Sequence, residues 1–128
     1  MEDVATSVNW DTLRVKAREL LESRLRSSGP PKFTYTEFRD LLERKEGKYF
    51  GVRDKHFHDL LCDVCRETER EGIGLISVII VHSGGDHRPG AEFFKLAEEL
   101  GRNVTDRKTF WKEEKKRVKD YYRPRTVS

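Results

Sequence analysis

The chain has 128 residues, 35% of them hydrophobic and 38% charged, with a formal net charge of +3. That size suits one domain with a modest core, and it leaves no spare apolar surface for a large lipid or cofactor cavity. The longest apolar run, Leu75 to Val81, is broken by Ser77 and falls far short of the ~20 residues of a membrane span.

The acidic, polar start MEDVATSVNWD is the reverse of a secretory signal, so a soluble cytoplasmic protein is expected. Asn9 or Asp11 can cap a first helix in which Leu13, Ala17, Leu20, Leu21 and Leu25 recur at helical spacing. The stretch SSGPPK ends it. In FTYTEF, Thr34 and Glu37 form a capping box, and Phe33 with Phe38 supplies a hydrophobic staple for a second helix through Leu41 and Leu42. After the connector KEGKYFGV, Asp54 caps a third helix to about Glu71, with Phe57, Leu60, Leu61 and Val64 inward. Gly72 and Gly74 terminate it.

Residues 75–82 are rich in Ile and Val and bounded by glycines, which predicts a buried strand. A Gly-rich turn follows, and DHRPGAEF is either a return strand or a direct entry into helix. Phe93, Phe94, Leu96, Ala97 and Leu100 make a short helix closed by Gly101. Thr105 or Asp106 opens a last helix to Tyr122, and RPRTVS is a frayed tail. The expected architecture is mostly helical α+β. It has a winged-helix-like three-helix core, a short strand or hairpin, and two C-terminal helices. One domain spans 1–128, with an ordered core at 9–122 and a tail at 123–128.

Cys62 and Cys65 sit three apart and would close no loop of useful length, so free thiols are expected. His58, Cys62 and Cys65 share one stripe of the third helix. With His82 or His87 they would suffice chemically for zinc. A helical Cys-x-x-Cys lacks the turn that lets both sulfurs of a zinc ribbon converge, so no metal and no cofactor is expected. His82, Asp86 and His87 could supply acid-base groups beside Ser83. A flexible Gly-Gly turn, however, offers such chemistry no preorganisation.

The charge distribution is more informative. Residues 1–71 carry 14 Lys/Arg against 15 Asp/Glu, whereas residues 102–125 carry 10 against 4. At the helical step of ~100° per residue, Lys108, Lys112, Lys115, Lys116, Lys119 and Arg123 fall within an arc of about 100°. Phe110, Trp111, Val118 and Tyr122 lie mostly on another face, and Glu113, Glu114 and Asp120 lie outside the basic arc. Such a stripe suits a phosphate backbone, or equally an acidic protein surface. The third helix fits a reading role poorly, because Asp59 and Asp63 face outward. Only Arg53, Lys55 and His56 at its start, with His87 and Arg88 at the wing tip, suit contact with DNA.

The run FTYTEFRDLL…FHDLLCDVCRETEREGIGLISVIIVHSGGDHRPGAEFF…FWKEEKKRVKDYY resembles a recurrent pattern in small bacterial proteins. Tyr35 and Glu37, Cys65, Val78 to Val81, Pro89-Gly90 with Phe93-Phe94, Phe110-Trp111 and Tyr121-Tyr122 carry the resemblance. It covers about residues 33–122, and it implies a compact helix-strand-helix domain and no established activity. The first part also looks like the winged-helix half of alkyltransferase-like proteins. It lacks their Pro-Cys-His-Arg motif, so neither their chemistry nor their lesion pocket carries over.

The sequence therefore predicts a non-catalytic domain that binds DNA or RNA through the basic C-terminal helix and a Gly-rich wing. A protein-interaction or accessory subunit docking the same face on an acidic partner is the alternative. A small enzyme using His82, Asp86 and His87 comes third.

Overall fold

The computed structural model describes residues 10–27, 31–46, 55–82 and 89–123. Among them are five α-helices: α1 (Trp10–Arg26), α2 (Tyr35–Glu46), α3 (Lys55–Arg70), α4 (Ala91–Glu99) and α5 (Arg107–Tyr122). Two short strands, β1 (Phe33–Thr34) and β2 (Ile80–Val81), pair in parallel with Phe33 opposite Ile80 and Thr34 opposite Val81. Parallel pairing rules out a simple hairpin between them, and the crossover runs through α2 and α3.

The local signals are realised atom by atom. The Thr34 N–H donates to Glu37 Oε1 (2.9 Å) and the Glu37 N–H to Thr34 Oγ1 (3.1 Å), which closes the capping box. The Phe33 and Phe38 rings meet edge to face at 5.3 Å. Helix α3 ends at Gly72, which takes φ +81, and the N–H groups of Gly72 and Ile73 return to the carbonyls of Glu69 and Thr68. Helix α4 ends the same way at Gly101, with φ +86 and bonds to Glu98 and Ala97. Both are left-handed glycine caps that satisfy carbonyls the helix would otherwise leave open.

Leu13, Ala17, Leu21 and Leu25 bury one stripe of α1 against the inner face of α3, where Phe57, Leu60, Leu61 and Val64 are buried. Each such side chain contributes roughly 1.5–3 kcal/mol of transfer free energy. Outside this seam, Arg14 pairs with Glu67, and Arg18 reaches Glu71 at 2.8 and 2.6 Å, so α1 and α3 are also tied at their edges.

Residues 75–81 are all buried, as their composition predicts, but the strand is only two residues long. Before it, Ile76–Ile79 form a 3-10 turn. A full strand here would present N–H groups to helices, which offer no ladder partner. Here the Ile76 N–H donates to Thr68 Oγ1 at 3.4 Å, the Val78 N–H to the Leu75 carbonyl at 3.0 Å and the Ile80 N–H to that of Ser77, and the turn sends side chains toward α1, α3 and α5, which all pack on it. Pro89 and Gly90 lead into α4, and the rest of the stretch on which a return strand was expected lies outside the described residues. Residues 83–88, which hold the predicted wing tip, lie outside the described residues. Among those described, no helix is long and apolar enough to cross a membrane.

Candidate functional site

Helix α5 opens on Asp106, whose side chain accepts the Thr109 N–H at 3.1 Å. That backbone bond lowers the carboxyl's pKa. From there the helix buries Phe110, Glu114, Val118 and Tyr122, one residue every four. Glu114 is the exception in this otherwise aromatic and aliphatic row, and it is only 1% exposed.

The buried carboxylate is fully engaged. Its Oε2 accepts the Leu75 N–H at 2.6 Å and Arg102 Nη1 at 3.2 Å, while Oε1 accepts Arg102 Nη2. Arg102 also pairs with Glu69 at 3.2 Å. Gly74 makes this approach possible. A Cβ there would stand 2.7 Å from Glu114 Oε2 and 3.1 Å from Val118 Cγ2, and the residue takes φ +110. Only glycine satisfies both conditions readily. Glu114 thus locks the rotation of α5 about its own axis, and that rotation decides which residues face outward.

The outward ones include Lys108, Lys112 and Lys119, all exposed. Lys115 is half-buried, with its Nζ 4.6 Å above the Trp111 ring. Its pKa is lowered first by desolvation, then by the charges of Lys119, Lys32 and Lys112. Lys32, remote in sequence and exposed, therefore joins the same patch from the segment before β1. Among the described residues, Lys32, Lys108, Lys112, Lys115 and Lys119 form no ion pair.

Two predicted members of the stripe are placed differently. Lys116 Nζ pairs with Asp120 at 2.7 Å, so this acid is not clear of the basic arc: one helical turn brings the two together. Arg123 turns back onto α1, where its guanidinium donates to the carbonyls of Leu25, Arg24 and Ser27. These carbonyls lie at and just past the end of α1, where acceptors run short of helical donors, and Arg123 caps them; the Arg24 carbonyl also accepts from Ser27. Tyr122 reinforces that junction by donating to Glu22 at 2.8 Å. Arg53, His87 and Arg88 lie outside the described residues. Lys55 opens α3, with its side chain outside the described set.

A second cluster gathers where the two strands end. Tyr35 follows β1, His82 follows β2, and their rings lie 5.1 Å apart. The Tyr35 hydroxyl accepts the Gly90 N–H at 3.2 Å. A cleft of about 20 Å³ beside them, lined in part by His58, Cys62, Ser77 and Glu92, has room for one water. The two thiols of α3, of which Cys62 lines the cleft, are poorly disposed to attack anything. Burial raises the pKa of Cys62, and it pushes Cys65 up to about 12, where the thiol donates to Ser77 Oγ at 3.0 Å. Among the described residues, no three His, Cys, Asp or Glu are grouped so as to hold a metal ion. Asp86 and His87, the other members of the expected loop site, are outside the described residues.

Sequence reasoning missed Glu114, Gly74 and Lys32 as parts of the site. The first had a signal: a glutamate in second place in the row Phe110, Glu114, Val118, Tyr122 occupies a buried phase of the helix. Lys32 had none, because its neighbour lies across the fold. No known protein family, curated protein or solved structure matches the chain.

Proposed function

We propose that the chain is a non-catalytic nucleic-acid-binding domain whose helix α5 lies along a phosphate backbone. The observation that carries this reading is the row Lys108, Lys112, Lys115 and Lys119 with Lys32 beside it. All five cations lack an ion-pair partner among the described residues. From Lys108 to Lys119 the helix rises roughly 16 Å, about the axial length of five base pairs. Phosphates there would relieve the mutual repulsion that Lys115 experiences and release condensed counterions.

The order helix, strand, helix, helix, strand in residues 10–81 supports a winged-helix-like reading of the domain. The Gly-rich wing expected at His87 and Arg88 lies outside the described residues. Helix α3 is not the domain's reading element. Asp59 and Asp63 are exposed on it, Arg66 is engaged with Asp63 at 3.4 Å, and Glu67 and Glu71 hold α1. Binding is therefore electrostatic and weakly dependent on base sequence.

Fluorescence anisotropy with labelled duplex and single-stranded oligonucleotides at low salt tests the reading. Binding is expected with little preference among sequences, and Lys112→Glu with Lys119→Glu should abolish it. Failure to bind either oligonucleotide would overturn the proposal. Joined to co-purification of an acidic protein lost in the same variant, it would assign the face to a protein partner instead.

A further inference from the structure

Lys115 differs from the other lysines of α5 in three physical respects. Its ammonium is held over the Trp111 ring at 4.6 Å, which restricts the search of a long flexible side chain. It is half-buried where Lys108, Lys112, Lys116 and Lys119 are exposed. It is also ringed by cations from two elements: Lys112 and Lys119, one turn away on either side along α5, and Lys32 from the segment before β1. Among the described residues, no carboxylate is among the charges that act on it. Lys116, by contrast, is neutralised by Asp120 at 2.7 Å.

We propose that Lys115 is an acylation site, and that its donors are small acyl phosphates drawn to it by Lys32, Lys112 and Lys119. The Lys115 Nζ lone pair attacks the acyl carbonyl carbon, and a new N–C bond forms. The C–O bond to phosphate breaks, inorganic phosphate leaves with the electron pair, and the proton lost from nitrogen passes to solvent. No oxidant or other co-reactant is consumed. Desolvation and the three neighbouring charges act together toward the neutral, nucleophilic amine, against the preference of the Trp111 ring for the ammonium. The surrounding ammonium groups meanwhile concentrate an anionic donor and stabilise the charge on the departing phosphate. The modification itself does not require nucleic-acid binding. Its consequence, removal of the central cation of the row, rests on the function proposed above.

Site-resolved mass spectrometry of the intact chain treated with acetyl phosphate at low salt, beside a parallel reaction with neutral acetic anhydride, tests this. Lys115 should be acetylated by acetyl phosphate about eightfold faster than Lys95 or Lys116, since each of the three neighbouring ammonium groups raises the local anion concentration roughly twofold. Lys32→Gln and Lys119→Gln should lower that excess with acetyl phosphate more than with the anhydride. These positions are exposed, and circular dichroism checks that the fold is kept. If Lys115 reacts no faster than Lys95 with acetyl phosphate, the proposal is overturned. If its excess is the same with both reagents, donor recruitment by the neighbouring cations is overturned. Anisotropy on the acetylated protein reads the consequence separately. Rapid acetylation of a protein that binds no oligonucleotide would retain the modification and overturn only the function.

Discussion

Replacing Glu114 by alanine perturbs the one buried carboxylate on which α5 turns. Two costs can be worked from the geometry. The Leu75 N–H, bonded to Glu114 at 2.6 Å and buried, would lose its acceptor, which costs about 1–3 kcal/mol. Arg102 would lose its strongest partner, and an uncompensated buried charge can cost several kcal/mol. Arg102 is partly solvated, however, and keeps Glu69 at 3.2 Å, so its share falls to about 1 kcal/mol. The sum is about 2–4 kcal/mol. Urea unfolding followed by far-ultraviolet circular dichroism measures it as a lower midpoint at unchanged slope. Glu113→Ala, one residue earlier and exposed, is the control and should stay within about 0.5 kcal/mol of the parent. Glu114→Gln should fall between the two, because an amide oxygen can still accept from Leu75. If Glu114→Ala matches Glu113→Ala, the carboxylate does not anchor the helix and the reasoning fails.

The same anchor predicts that Gly74→Ala destabilises by roughly 1–3 kcal/mol, from a 2.7 Å clash and an unfavourable φ of +110, whereas Gly72→Ala meets no neighbour and carries only the φ penalty. Iodoacetamide should leave Cys65 unmodified in the folded protein and label Cys62 slowly, with both reacting in urea; fast native labelling of Cys65 would contradict its burial. The raised pKa of Cys65 also fixes a sign. Its contribution to stability is complete below the thiol's unfolded value and is lost as pH rises toward about 12, so Cys65→Ala should flatten the alkaline limb of a stability profile.

Much of this fold was legible because its signals are local. The capping box at Thr34 and Glu37, the staple of Phe33 on Phe38, and the glycine caps at Gly72 and Gly101 each depend on a few adjacent residues. Those residues have one good way to satisfy their backbone groups. The helical stripes of α1 and α3 were equally plain, since periodicity reports which side meets a core. Residues 75–82 read as a strand because burial and β-branching look alike in a strand and in a buried 3-10 turn. What separates them is the supply of ladder partners, a property of the assembled neighbours. The site divides along the same line. A basic face on α5 follows from spacing alone. The pairing of Lys116 with Asp120 is local, four residues apart on one helix, whereas that Arg123 serves α1 and that Lys32 completes the patch are tertiary facts.

The most direct test of the account is the salt dependence of oligonucleotide affinity. With five cations, Lys32, Lys108, Lys112, Lys115 and Lys119, on duplex phosphates, the logarithm of the binding constant should fall against the logarithm of salt with a slope near roughly −4.5. Lys112→Gln with Lys119→Gln should flatten that slope by about 2, and Lys116→Gln should leave it almost unchanged. A slope near zero, or one as steep in the Lys112/Lys119 variant as in the parent, would contradict a phosphate-tracking role for α5.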